Sequence, residues 1–90
     1  MLELLRRLED KLSNIFEIVA IGDNVCFLLG NGTVAHLTVF TQWECVVVEY
    51  ADDVNSAKRN KYEDGDQFYL KDYSEDDLFD AILKEMRENG

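Results

Sequence analysis

The clearest pattern of hydrophobic and polar positions lies near the end of the chain. Apolar residues recur there at intervals of one, three, one and three, which predicts a helix with a single apolar stripe. Ser74 stands at the N-cap position of this helix, and Asn89-Gly90 can end it. The stripe consists of Leu78, Phe79, Ile82, Leu83 and Met86.

A second helical pattern opens the chain and is followed by strand patterns. Four leucines recur at helical spacing within residues 2–13, with charged residues between them, which predicts a first helix. Three mostly apolar, β-branched segments follow at residues 15–21, 24–29 and 33–40, and each predicts a strand. The turn signals between these strands are Gly22-Asp23 and Gly30-Asn31-Gly32.

The second turn signal predicts how the strands on either side of it pair. Asn31-Gly32 favours a two-residue hairpin loop, because both residues tolerate positive φ. With that loop, Cys26 pairs with Leu37, and Cys26 and His36 point to opposite faces of the sheet. Both faces are largely apolar, so we expect one face to be covered and the other to be covered at least in part.

The segment after residue 40 leaves alternatives open. Residues 43–51 contain three consecutive valines and predict a fourth strand, with a helix as the alternative. Either Asp52 or Asp53 can cap a short helix that runs through Lys61.

These elements together predict an α+β fold. It has an N-terminal helix, an antiparallel β-meander of three to four strands, an optional short helix and a C-terminal helix packed on the sheet. Asp64-Gly65 indicates one more turn, and residues 68–70 fit either a short strand or a docked loop. Ninety residues are enough for one small domain, so residues 1–90 are expected to form a single unit.

Composition narrows the class of protein. No run approaches the roughly 20 apolar residues that a membrane helix needs, and the N-terminus lacks the pattern of a secretory signal. Cys26 and Cys45 are too few for a disulfide framework, so we expect buried reduced thiols in a cytoplasmic protein. A net charge of −10 disfavours direct binding to nucleic acid or to anionic membranes and favours basic partners.

The sequence shows no clear pattern of catalytic or metal-binding residues. His36 is the sole histidine, and two cysteines with one histidine are too few soft ligands for structural zinc. A calcium loop with Gly65 at its sixth position would place Tyr62 and Lys71 where carboxylates belong. We therefore expect no enzymatic activity, no catalytic residues, no metal and no cofactor.

The acidic residues are the strongest candidates for function. Residues 62–90 hold ten acidic and three basic side chains, a net −7 of the total −10. On a helix, acids three or four positions apart form a row of neighbouring carboxylates, and such a row can imitate a nucleic-acid backbone. Two aromatic residues can anchor an interface beside this charge. The predicted partner-binding residues are Glu63, Asp64, Asp66, Asp72, Glu75, Asp76, Asp77, Asp80, Trp43 and Tyr69.

In layout and charge the chain resembles small acidic inhibitors that phages and mobile elements encode, among them anti-CRISPR and anti-restriction proteins. It is similar in the same way to toxin-immunity proteins. The resemblance implies an inhibitor that mimics nucleic acid and occupies the basic surface of a partner, such as a nucleic-acid-binding protein. The alternative is a structural or assembly module that forms a homodimer or docks through its sheet, with Val46-Val47-Val48 as a candidate edge.

Overall fold

The computed structural model describes residues 2–89. Within that range no helix is long and apolar enough to cross a membrane. In chain order the elements are α1 (Leu2–Ser13), β1 (Glu17–Ile21), β2 (Asn24–Leu28), β3 (Val34–Phe40), β4 (Cys45–Ala51), α2 (Val54–Lys58), β5 (Glu63–Tyr69), a short 3-10 helix (Leu70–Asp72) and α3 (Glu75–Glu88).

The five strands form one antiparallel sheet in the order β1-β2-β3-β4-β5. This meander confirms the predicted α+β fold. Residues 43–51 contribute a strand rather than a helix, and residues 68–70 belong partly to a fifth strand. The valine run lies in β4, between β3 and β5, so the prediction that it forms a sheet edge was wrong.

The pairing predicted for β2 and β3 is wrong by one residue. Cys26 pairs with His36 rather than with Leu37, and both side chains therefore lie on the same face. The connection is longer than two residues, because the Leu29 amide donates to the Thr33 carbonyl at 2.8 Å and closes a wider loop. Since side chains alternate along a strand, a shift of one residue exchanges the two faces.

One face of the sheet, the covered face, lies under α1 and α3. The stripe predicted for α3 is confirmed, because Leu78, Ile82 and Met86 are fully buried there. Burying one such side chain contributes roughly 1.5–3 kcal/mol, so this layer supplies most of the hydrophobic stabilisation. The core of the covered face consists of Leu8, Leu12, Phe27, Leu29, Ala35, Leu37, Val46, Val48, Phe68, Leu78, Ile82 and Met86.

The limits of α3 also follow the prediction. The Ser74 hydroxyl accepts a hydrogen bond from the Asp77 amide at 3.2 Å, which satisfies one of the free amides of the first turn. Three acids occupy that first turn, where the helix dipole favours negative charge. Asn89 caps the C-terminus.

The opposite face is covered only at one end, by α2. Asp53 caps this helix by accepting from the Ser56 amide at 2.7 Å. Asn60 ends it in a left-handed conformation with φ +58°, so that the Lys61 amide reaches back to the Ser56 carbonyl. Ala57 of α2 packs in a small second cluster with Ile21, Cys26, Val34 and Ala51.

The turn predicted at Asp64-Gly65 is instead a β-bulge inside β5. Val47 pairs with Gln67 while Glu49 pairs with Asp64, so two residues of β5 lie opposite one residue of β4. Gly65 fits there because a Cβ atom would lie 2.5 Å from Cε2 of Tyr50 and 2.7 Å from the Val48 carbonyl oxygen. The extra residue brings Asp64 onto the same face as Gln67, although strict alternation would separate them.

Candidate functional site

The part of the sheet that faces away from α1 and α3, beyond the end that α2 covers, is called the open face. It is built from three rows of side chains that run across β3, β4 and β5. The rows are His36–Glu49–Asp64, Thr38–Val47–Gln67 and Phe40–Cys45–Tyr69.

Three aromatic residues stand around a depression at one end of the open face, here called the aromatic hollow. Phe40, Trp43 and Tyr69 line it, with Cys45 and Val47 buried beneath them. Gln67 and Asp64 complete the lining, and the hollow has a volume of about 360 Å³. Trp43 is 63% exposed, Phe40 43% and Tyr69 40%. Exposed large apolar side chains that cluster in this way mark interaction surfaces more often than scattered ones do.

A tight loop between β3 and β4 holds Trp43 in place. The Trp43 amide donates to the Phe40 carbonyl at 3.2 Å, and the next amide, of Glu44, donates to the Thr41 carbonyl at 3.3 Å. Glu44 has φ +49°, a left-handed conformation that a glutamate adopts only at some cost. Its carbonyl accepts from the Leu70 amide at 2.9 Å, which ties the loop to the end of β5. Strain of this kind is often found at binding sites.

Asp64 is the single charged residue in the lining of the hollow. Among residues 2–89, no Lys or Arg nitrogen lies within 4.0 Å of Asp64, Glu63 or Asp66. Glu49 stands directly across the strand pair from Asp64 and places a second carboxylate near it. The hollow therefore combines exposed aromatic rings with negative charge that no basic side chain of the described residues neutralises.

A polar cluster that the predicted register had excluded adjoins the hollow. Nδ1 of His36 lies 3.7 Å from Oε1 of Glu49, which also accepts a hydrogen bond from the Thr38 hydroxyl. Tyr62 lies over the end of this row, with its ring centroid 5.7 Å from that of His36 and its hydroxyl 3.6 Å from Sγ of Cys26.

Burial in the polar cluster favours the neutral forms of His36, Cys26 and Tyr62. Burial lowers the pKa of His36, against the opposing effect of Glu49. Burial also raises the pKa of the Cys26 thiol and, together with the thiol contact, that of Tyr62. Since the thiolate is the nucleophilic form, a buried thiol with a raised pKa is a poor nucleophile at neutral pH. Cys26 and Cys45 are both buried and unpaired, as predicted.

The predicted partner-binding residues fall into two separate groups. Glu63, Asp64 and Asp66 lie on β5, and Asp64 meets Trp43 and Tyr69 in the hollow. The remaining five acids lie on the 3-10 helix or on α3, which packs on the covered face. The single acidic surface predicted for the chain is thus split, and within the β5 group Asp64 faces the open side with Glu49, whereas Glu63 pairs with Tyr50, which packs on the core of the covered face. The second group consists of Asp72, Glu75, Asp76, Asp77 and Asp80.

Two acids of the second group are already paired within the chain. Nη2 of Arg7 lies 2.8 Å from Oε1 of Glu75, and Nζ of Lys11 lies 3.5 Å from Oδ1 of Asp76. The hydrogen bond from Arg7, and then its charge, hold the pKa of Glu75 below its ordinary value. The carboxylate row on α3 is therefore shorter than its spacing in the sequence suggests.

A second depression, of about 270 Å³, lies beside α2. Lys61 lines it together with Asp52 and Glu63, so both signs of charge are present. Within residues 2–89, no three His, Cys, Asp or Glu side chains are grouped closely enough to hold a metal ion. The aromatic hollow is accordingly the better-defined candidate site.

No protein-family model matches this chain, and neither the curated proteins nor the solved structures include a significant match to it. The open face is therefore the feature of this chain from which a function can be inferred.

Proposed function

We propose that this chain is a non-enzymatic binding module that receives a basic surface of a partner protein on its open face. The observation that carries the proposal is the aromatic hollow. It brings Trp43, Phe40 and Tyr69 together beside the carboxylate of Asp64, which has no Lys or Arg partner among residues 2–89, in a chain of net charge −10. Tryptophan and tyrosine are among the residues that most often dominate the binding energy of an interface.

The aromatic side chains supply the affinity in this proposal. Burying exposed apolar surface contributes roughly 25 cal/mol per Å² removed from water. Most of the surface of Trp43 is exposed, so its burial by a partner would contribute substantially to the binding free energy. The short loop that holds Trp43 limits the conformational entropy lost on binding, because its backbone is already fixed.

The acidic side chains orient the partner and raise the rate of association in this proposal. Glu63, Asp64 and Asp66 are exposed along the strand that borders the hollow. A cluster of one charge attracts an oppositely charged partner before contact and raises the rate of association, more than it raises the final affinity. A protein whose basic surface ordinarily holds nucleic acid has the complementary chemistry, and occupation of that surface would inhibit it.

The acids of α3 give this proposal less support. A carboxylate row that mimics nucleic acid would depend on that helix, and Arg7 and Lys11 already reach two of its acids. A partner that binds the β5 acids would therefore lie on a different part of the molecule from one that binds the acids of α3.

A matched pair of double variants tests which group matters. Asp64→Asn with Asp66→Asn changes the β5 acids, and Asp77→Asn with Asp80→Asn changes two acids of α3. Each pair removes two negative charges, so an effect of total charge alone would be equal in both. The tagged protein would be used to capture partners from the native host, at about 50 mM and about 500 mM salt.

We expect the β5 pair, and Trp43→Ala separately, to lose a basic partner that the wild-type protein and the α3 pair retain. High salt should release that partner, since exposed charges are screened. Loss with the α3 pair but not with the β5 pair would move the site to the helix and overturn the proposal. Circular dichroism of each variant would confirm that the fold is intact.

Self-association is the second candidate function, and a different surface favours it. Ile18 is 50% exposed on β1, an edge strand of the sheet, and Val25 is exposed on the neighbouring strand. An apolar edge strand can pair with the same strand of a second copy. Light scattering after size-exclusion chromatography decides the matter, because a strict monomer across a wide concentration range would eliminate this candidate.

A further inference from the structure

We infer that the group which enters the aromatic hollow is an arginine side chain of the partner. This inference rests on the proposed function and specifies its chemistry. It follows from the size of the hollow, from the single carboxylate in its lining and from the exposed face of Trp43.

The size of the hollow suits one long side chain. Sites for small molecules and cofactors usually enclose roughly 300–1,000 Å³. At about 360 Å³ and open to solvent, the hollow is near the lower end of that range. Its floor is apolar, because Cys45 and Val47 form it, and an aliphatic stem can pack there.

The polar groups of the hollow favour a cation over an anion. Asp64 repels phosphates and carboxylates, and Glu49 across the strand pair adds to that repulsion. Oε1 of Gln67 accepts one hydrogen bond, from the Tyr69 hydroxyl at 3.0 Å, and the carboxylate of Asp64 is the one charged acceptor in the lining of the hollow. A guanidinium group can donate two parallel hydrogen bonds to one carboxylate.

Arginine fits this combination better than lysine does. The guanidinium group is planar, stacks on aromatic faces and is less strongly hydrated than an ammonium group. Contacts between a cation and an aromatic face also involve arginine more often, and tryptophan is the strongest aromatic partner. Lysine can satisfy the charge of Asp64, but it offers no flat surface to Trp43.

The single tryptophan of the chain provides a direct measurement. Three octapeptides would be titrated into the full chain while Trp43 fluorescence is followed. They alternate glycine with arginine, with lysine or with citrulline, which has the shape of arginine but no charge. Asp64→Asn would be compared with Asp80→Asn, which removes the same charge from an exposed residue of α3.

We expect the arginine peptide to bind about fivefold more tightly than the lysine peptide, and the citrulline peptide to bind more weakly than both. Asp64→Asn should weaken arginine binding about tenfold, because it removes a charge-assisted hydrogen bond, while Asp80→Asn should leave it nearly unchanged.

Each contrary outcome identifies what has failed. Equal binding of the arginine and lysine peptides, with Asp64→Asn still impaired, would overturn the arginine assignment and leave the proposed basic docking site standing. Equal binding of the citrulline peptide would overturn the assignment as well, because no cation would then be needed. Equal effects of Asp64→Asn and Asp80→Asn would show that only total charge matters, and both the assignment and the proposed site would fall.

Discussion

The two faces of the sheet are formed by alternate residues of the same strands, yet α1 and α3 cover one face while α2 covers only one end of the other. On β3 and β4, Leu37, Val46 and Val48 point towards α1 and α3 and are buried. On the other side, Phe40 at the end of β3 and Trp43 in the loop that follows it are among the most exposed large apolar side chains of the described residues. The comparison shows which apolar residues stabilise the fold and which remain available to a partner.

The acidic residues differ between the two sides as well. On the helical side, Arg7 and Lys11 reach acids at the start of α3. On the open side, Asp64 has no basic neighbour within ion-pair distance among residues 2–89. Exposed pairs contribute little to stability, so the pairing of Glu75 matters mainly because it leaves less free charge on α3.

The largest expected effect is on the free energy of unfolding, when one side chain is truncated on each face of the sheet. Ile82→Ala removes a fully buried side chain from the covered face and should lower the free energy of unfolding by about 3–4 kcal/mol. Phe40→Ala removes a larger side chain from the open face and should cost less than about 1 kcal/mol. Urea denaturation measures both variants. Similar losses would mean that the open face is part of the core and would contradict the comparison.

The next effect concerns the bulge that brings Asp64 to the open face. Gly65→Ala places a Cβ atom against the Tyr50 ring and the Val48 carbonyl oxygen, and the latter cannot move without its strand. We expect a loss of about 2 kcal/mol in the free energy of unfolding. Gly30→Ala is the control, because a Cβ atom there meets nothing within 4 Å. Chemical denaturation should find that control nearly neutral, and equal losses would refute the steric explanation.

A smaller effect of opposite sign is expected in the loop that carries Trp43. Glu44→Gly relieves a left-handed backbone conformation and should raise the free energy of unfolding by about 0.5–1 kcal/mol. Gln42→Gly, in the same loop but without positive φ, should lower it slightly, because glycine gains freedom in the unfolded chain. Thermal denaturation would show the difference, and two variants of equal stability would argue against strain at Glu44.

The smallest effect is the pH dependence that His36 adds. Glu49, Tyr62 and Cys26 face its ring, and burial outweighs Glu49 in lowering its pKa below the ordinary 6.5. Between the folded pKa and 6.5, the unfolded state binds more protons than the folded state does. This contribution to stability is therefore complete above pH 6.5 and declines as the pH falls towards the folded pKa.

His36→Gln isolates that contribution. Between about pH 7.5 and about pH 5.5, the wild-type protein should lose more stability than the variant does, as measured by urea denaturation at each pH. Other groups titrate in both proteins, and their effects cancel in the difference. If the wild-type protein lost less than the variant, the pKa of His36 would be raised rather than lowered.

The sequence predicts most of the individual residues of the site, but it does not predict which of them lie together on one surface. Trp43, Tyr69 and Asp64 were each expected to bind a partner, on grounds of residue type and local charge. The sequence offered no reason to separate Asp64 from the acids of α3, because neither the bulge at Gly65 nor the ion pair of Arg7 has a local signature. Phe40 was missed, since it ends an apolar strand pattern and gives no sign of exposure.

The amino-acid sequence alone determined α1, α3, the first three strands and the α+β class, but it left residues 43–51 open between strand and helix and predicted a turn where β5 continues through a bulge. The spacing of apolar residues, the caps at Ser74 and Asp53, and the glycine-containing turns act over a few residues, so they can be read locally. Tertiary structure decided the strand registers and therefore which side chains share a face. The pairing of Cys26 with His36, and of Asp64 with Glu49, depends on loop length and on the packing of the whole sheet. A shift of one residue exchanges the faces, and no short stretch of sequence contains the information that prevents it.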